Sequence, residues 1–387
     1  MQFKESKKSL VKHFHEKRFF YNYLLCLTMN PRERYLAVFD EDARQDLDQV
    51  PTFTQGVKPR FYQKYEEELF GDMDFGQLTY NLKFDPPIAL GFDSVFGGIP
   101  SSVKVKQTEM TDEKGNKHKV GLSGQVGKKG STFYNKGLLF NQDNLDNLKA
   151  NTQKFDNSEA IKQTIDLYEE VSDKIFPVVM VGGIFDRVWM GMQMKYFSRH
   201  YRKKTKLYKD IVKFYAQVMK WNVEGLIEAT GGRAGVVNIL DDVAFKGRLM
   251  ISPERWEEDY GPHYKEICDI ISDAGMIPQV HTDGDVTELI ESFQKVGFRG
   301  LQGWEGGVDP YYVNENFPDF VVIGFGDVSH VIPHGTKDEI EEHVKELMDA
   351  LKENRHYIFG PSTVVQADDP LENVRYFMEC GKRYGQY

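Results

Sequence analysis

Residues 235–281 contain the stretch that decides the fold: GVVNILDD (235–242), ISPERWEEDYGPHYKEICDIISDAG (251–275) and MIPQVH (276–281). The outer two segments are short, near-continuous apolar runs, as strands buried on both faces require. The middle segment opens with a Ser-Pro-Glu start signal and stops at a glycine, so it reads as a helix. Strand, helix and strand in that order form a βαβ unit with parallel strands. Polar residues gather where the strands end: Asp241 and Asp242 after the first, His281 and Asp283 at and after the second.

The same alternation continues in both directions. VPTFTQG (50–56), IALGFDSVF (88–96) and FPVVMVGG (176–183) precede the unit, and FRGLQGWE (298–305), FVVIGFGD (320–327) and HYIFGPS (356–362) follow it. Helical patterns separate most of these runs. TKDEIEEHVKELMDAL (336–351) has a Thr cap and carboxylates in its first turn, and DPLENVRYFMECGKRYG (369–385) closes the chain. Eight strands without a Gly-rich dinucleotide turn predict an α/β fold, a single (β/α)8 TIM barrel rather than a doubly wound sheet. The alternating segment 103–124, with its Lys-Gly-Asn turn, predicts a β-hairpin insertion after strand two. A helix is expected from Pro31 in NPRERYLAVF (30–39). Residues 1–30 read as a charged helical arm with an apolar stripe of Phe19, Phe20, Tyr23 and Leu24, and the barrel spans 31–387. Such an arm would pack on the barrel or on a second copy in a homo-oligomer.

Composition narrows the function classes. In 387 residues, 49 Lys+Arg against 59 Asp+Glu give a net charge of −10. That balance argues against nucleic acid and anionic membrane surfaces as partners. Cys26, Cys268 and Cys380 lie far apart and form no CxxC pair, so no zinc ribbon or disulfide scaffold is expected. The charged first twenty residues do not resemble a secretory leader, and the expected location is cytoplasmic.

In a parallel barrel, residues just after each strand surround one mouth. The expected rim set is Gln55, Asp93, Asp186, Asp241, Asp242, His281, Asp283, Glu305, Asp327, His330, Ser362 and Thr363. Each has a bland structural reading: Asp242 as a cap, Asp93 as a bridge to a loop arginine, Glu305 as the orienter of a Gly-Gly turn. So many ionisable groups at one rim favour a site, because burying them together is costly unless they pair or bind a ligand. His281 and Glu305 end neighbouring strands and could coordinate a divalent ion or act as a base and its orienter.

Three segments resemble the uroporphyrinogen decarboxylase superfamily. Residues 241–267 resemble its "DD…g…mSPe…f…PyyK" stretch, 281–305 its "H.dG….l….e.G.d.l…E" stretch, and 357–385 its "PLENv….e..r.yG" ending. The resemblance runs from about residue 30 to the end and implies a (β/α)8 barrel enzyme. VPTFTQGVKPRFY (50–62) lacks the arginine-rich pattern of true uroporphyrinogen decarboxylases, and Ser362-Thr363-Val364 replaces their late histidine turn. The chain is more similar to the methyltransferase branch, whose zinc is held by a His-x-Cys pair, often a downstream Glu, and a late Cys. His281 is kept, but Asp283 and Thr363 stand where the thiolates would be. A harder ligand set suits an oxygen ligand, such as the methoxy group of a methoxylated aromatic.

The resemblance thus implies an O-demethylase type methyltransferase with zinc, passing methyl to the cobalt of a separate corrinoid protein. His281 and Glu305 are the expected ligands, with Asp283 or His330 as a third. Asp93, Asp242, His281 and Glu305 are the candidate catalytic residues. Phe53, Phe92, Phe96, Trp304, Tyr311 and Phe325 are candidates for an aryl pocket, with Tyr312 beside them. Two alternatives are a lyase acting on a small carboxylated substrate, with Asp93, His281 and Glu305 as proton-transfer groups, and a non-catalytic ligand-binding barrel.

Overall fold

The structure is a computed structural model, and it describes residues 29–71, 73, 78–126, 136–304 and 308–387. The expected N-terminal arm and Glu305 lie outside the described residues. Eight parallel strands form the central sheet in chain order: β1 (Phe53–Thr54), β2 (Ser94–Gly98), β3 (Phe176–Gly182), β4 (Val236–Leu240), β5 (Ile277–Thr282), β6 (Gly300–Gly303), β7 (Val321–Gly326) and β8 (Tyr357–Pro361). A parallel bridge between Thr52 and Phe359 brings the first edge to the last, with Phe359 N–H donating to the Pro51 carbonyl at 2.8 Å. All eight expected strands are present, and the sheet curls into a (β/α)8 barrel.

The principal helices are α1 (Pro31–Ala37), α2 (Ser158–Glu170), α3 (Phe185–Arg202), α4 (Lys206–Thr230), α5 (Pro253–Asp259), α6 (Gly261–Asp273), α7 (Ile290–Val296), α8 (Lys337–Leu351) and α9 (Leu371–Tyr384). Asn30 caps α1 through a reciprocal capping box with Glu33, and Thr336 caps α8 with Glu339 in the same way. The expected single helix over 251–275 is two, broken at Tyr260. Pro262 explains the break: it cannot donate a backbone hydrogen bond and is favoured at the start of a helix rather than within one.

The insertion after β2 pairs Thr108–Thr111 with Lys117–Val120 antiparallel, as the alternating sequence implies. Its turn is organised by Asp112, whose buried carboxylate accepts from Lys136 Nζ at 2.9 Å and His118 Nε2 at 3.0 Å. The expected strand at 88–96 is displaced: residues Asp85–Leu90 are helical and β2 begins only at Ser94. Asp85-Pro86-Pro87 supplies prolines suited to a first helical turn, which explains the displacement.

The barrel has two different ends. At the N-terminal end, α1 and the two residues after it close the interior with Tyr35, Val38 and Phe39, packed on Phe176, Val178, Val236, Val321 and Ile358. Tyr35 Oη donates to Gln279 Oε1 at 2.9 Å, and Gln279 Nε2 donates to Asn238 Oδ1 at 3.0 Å, so these buried amides are tied to one another. The C-terminal end is lined by ionisable groups.

Candidate functional site

His281 lies on the inner face of β5 near its C-terminal end, above the Phe96 ring at a centroid separation of 6.2 Å. Phe53 packs edge-on against Phe96 at 4.8 Å, so these two form the floor. The imidazole is buried, and its hydrogen bonds fix its tautomer. Gln302 Nε2 donates to the Ser362 carbonyl at 2.7 Å, which orients the amide, because a carbonyl can only accept. Gln302 Oε1 therefore accepts from His281 Nδ1 at 2.6 Å and from Gln55 Nε2 at 3.1 Å. The proton sits on Nδ1, and the Nε2 lone pair is free.

That lone pair faces two carboxylates. Asp242 Oδ1 and Asp283 Oδ1 each lie 3.7 Å from His281 Nε2, beyond hydrogen-bond reach. Asp242 follows β4 and Asp283 follows β5. The backbone N–H of Asp283 donates to Asp242 Oδ1 at 3.0 Å, which holds the two loops in register. Asp283 Oδ1 is buried without a hydrogen-bond partner. Burial raises the Asp283 carboxyl above its usual range, opposed by His281 and reinforced by Asp242. Three acceptor atoms within 4.8 Å of one another, one of them orphaned, fit a divalent cation of the borderline or hard class. With no thiolate in the set, the residues fit zinc through nitrogen and oxygen alone.

A second pair of carboxyls stands beside this group. Asp241 accepts from the backbone N–H of Asp186 at 2.8 Å and of Phe185 at 3.1 Å, and from the Tyr264 hydroxyl. It thereby caps α3 from the neighbouring strand. Burial, then the charges of Asp241 and Asp242, push Asp186 well above the carboxylate range, while Trp189 Nε1 donates to its Oδ1 at 2.9 Å.

Asp242 and Asp283 form part of the wall of a cavity of about 600 Å³, whose apolar wall is Trp189, Met190 and Met194 of α3 with Phe245 and Met250, and which Gln125, Lys136 and Gln193 also line. A second cavity of about 500 Å³ lies on the β6–β8 side of the mouth, lined by Trp304, Tyr311, Phe325, His330 and Ser362. Trp304 and Phe325 stack there at 4.9 Å, and both adopt left-handed backbone conformations, with φ of 77° and 73°. Each such residue costs about 1 kcal/mol or more, and strain of this kind concentrates at functional sites.

Several expectations need correction. Asp93 precedes β2 and so lies at the closed end of the barrel, not at the mouth. Its Oδ1 is 2.7 Å from Arg34 Nη1, and its Oδ2 accepts from Thr52 N at 2.9 Å. The ion-pair reading of Asp93 is the one the geometry supports, with an arginine on a helix rather than a loop. Phe92 is buried beside it and does not face the cavity. His330 is exposed, and its backbone N–H binds Asp327 Oδ1 at 2.7 Å; it stands outside the His281 group. Asp327 itself holds that turn through Ser329 N–H and His330 N–H. Trp304, Tyr311 and Phe325 belong to the second cavity, not to the one over Asp242 and Asp283. The sequence reading missed Gln302, although it faces the same way as His281 in an aligned register position. It also missed Trp189, Met190 and Met194, which belong to a helix whose apolar face gave no distinct signal.

A family model described as uroporphyrinogen decarboxylase (URO-D) matches residues 119–384, more than half of the chain. A solved methyltransferase from Methanosarcina mazei superposes with a TM-score of 0.61 at 16% identity, covering 92% of this chain and 99% of its own. The β-glycosidase of Thermosphaera aggregans gives 0.44 at 10% identity, over 88% and 97%. No curated protein matches the sequence. Among the described residues, no helix is long and apolar enough to cross a membrane.

Proposed function

As the chain belongs to the uroporphyrinogen decarboxylase family, we propose that it is a methyltransferase of that family. It takes a methyl group from a methoxylated aromatic and passes it to the cobalt of a separate corrinoid protein, with zinc held by His281, Asp242 and Asp283. One observation carries the reading: a free imidazole Nε2 and two carboxylate oxygens converge beside a large cavity whose wall is in good part apolar. The shared fold with a methyltransferase from Methanosarcina mazei supports it.

When bound, the metal would supply Lewis acidity toward the methoxy oxygen, making the phenolate a better leaving group. The remaining work belongs to this chain. Gln302 fixes the Nδ1–H tautomer and so aims Nε2 at the cavity, as partners of ligand histidines generally do. Trp189, Met190, Met194, Phe245 and Met250 give an aryl ring an apolar wall and keep water from the reacting end. Asp186, whose carboxyl is pushed up by burial and by the charges of Asp241 and Asp242, holds its proton more tightly than a free carboxyl and so eases the negative charge beside Asp242. Glu305 would be a further ligand in this reading. The lyase alternative loses Asp93, which is committed to Arg34 at the other end of the barrel.

The test is metal analysis of the purified protein together with an assay using free cob(I)alamin and methoxyarenes. Near-stoichiometric zinc, lost in His281→Ala, with phenol and methylcobalamin formed by the wild type, is the expected result. Carbon dioxide release from a carboxylated substrate without any corrinoid would overturn it, as would phenol formation undiminished in His281→Ala.

A further inference from the structure

Arg187 follows β3 in the first turn of α3, and its guanidinium occupies a place that no side chain of the strand fills. Along β3, Phe176, Val178 and Met180 pack into the barrel interior, so Gly182, two residues on, faces the same way. A Cβ on Gly182 would stand 2.4 Å from Arg187 Nη2 and 3.1 Å from Nε. The glycine is therefore what admits the guanidinium to the inner face of the mouth. On the adjacent strand the pattern recurs. Phe96 faces inward, so Gly98 does too, and Lys83 Nζ lies 3.6 Å from where its Cβ would be.

The register places this cation relative to the reacting group. Gly182 aligns with Leu240, and Leu240 with His281. Two strand spacings, about 10 Å, separate the backbone of Gly182 from that of His281. Both side chains project into the mouth from these strands. Arg187 makes no hydrogen bond and no ion pair with any described residue. Arg34, Arg233 and Arg255, by contrast, each hold a carboxylate at 2.8 Å or less. A half-buried guanidinium without a partner among the described residues is a planar fork matched to a carboxylate.

We propose that Arg187, with Lys83 beside it, is the anion-recognising element of the substrate site, and that the substrate carries a carboxylate at the end away from the one that meets His281. This rests on the reading of the cavity as a methoxyarene site. It identifies the substrate class as a methoxylated aromatic acid rather than a neutral ether.

Binding to the purified protein by titration calorimetry tests it, with 4-methoxybenzoate, 4-methoxybenzamide and 4-ethylbenzoate as probes. The wild type is expected to favour the acid over the amide by more than about tenfold, the order of a charge-assisted pair. Arg187→Gln should remove that preference while leaving the affinity for the amide unchanged, and Arg187→Lys should restore part of it. Loss of structure alone would lower both affinities together. Equal binding of acid and amide by the wild type, or a preference retained in Arg187→Gln, would overturn the proposal. 4-Ethylbenzoate has no methyl ether to give up. If its binding depends on Arg187 while methoxyarenes are never demethylated, the anion site stands and the methyltransferase reading falls.

Discussion

The two ends of the barrel handle buried charge in opposite ways. At the closed end, Arg34 binds Asp48 and Asp93 at 2.8 and 2.7 Å, and Asp93 also accepts from Thr52 N–H and Oγ1–H. Both charges of that cluster are thus paired. At the open end, Nε2 of His281 and Oδ1 of Asp283 face one another across 3.7 Å without a bond, and Arg187 has no partner among the described residues. A network closed on itself serves the fold. One left open at both signs of charge is arranged for something that arrives from outside.

This contrast breaks most sharply at His281. His281→Ala should abolish metal binding and lower activity by about a thousandfold or more, while costing only about 1–2 kcal/mol of stability, because the one hydrogen bond it removes leaves Gln302 Oε1 still accepting from Gln55. Metal content and urea unfolding read both sides, and a large loss of stability would show the open end to be structural after all. The converse is Arg34→Ala. It leaves Asp93 buried and uncompensated and should cost about 3–5 kcal/mol, the range for breaking a buried pair from one side. An unfolding midpoint near that of the wild type would contradict the assignment of Asp93 to stability.

Gln302→Leu sharpens the comparison. It removes the acceptor that fixes Nδ1 without touching a ligand, and metal affinity should fall by about 10–100-fold. Retention of full affinity, measured by competition with a chromogenic chelator, would mean that the backbone carbonyl of Gln302, 3.1 Å from Nδ1, is sufficient. The smallest effect concerns Asp186. Its folded pKa is raised, so between about pH 4 and that raised value the folded state holds a proton that the unfolded chain has lost. Stability should therefore fall as pH rises through this window. Asp186→Asn should flatten the slope, and an unchanged pH–stability curve would argue against the protonated state.

The fold was legible because its signals are periodic. GVVNILDD, MIPQVH and FVVIGFGD each lie within or around an observed strand, and Asn30 and Thr336 cap the helices that their sequences announce. His281, Asp242 and Asp283 were legible for the same reason, as polar residues at the ends of apolar runs. Asp93 misled because IAL (88–90) is as apolar as a strand, yet Pro86 and Pro87 start a helix there; the strand moved along, and Asp93 changed ends. Gln302 and Arg187 were illegible for a different reason. Their roles depend on which neighbour faces them across the barrel, a relation set by register and by the empty inner face of Gly182, and neither is written in local periodicity.

The seam at Thr52 and Phe359 has a consequence for synthesis. The amide that sets His281 is gripped from both sides of that seam, by Gln55 from the first strand and by the Ser362 carbonyl after the last. A nascent chain that has emerged only through β7 already carries His281, Asp242 and Asp283, yet lacks the edge that orients them. Its two unpaired sheet edges are also its aggregation hazard until the ends meet, a contact of very long sequence separation. Ring closure and competence at His281 are therefore the same late folding event, and a chain that fails to close its barrel should be unable to hold metal prematurely.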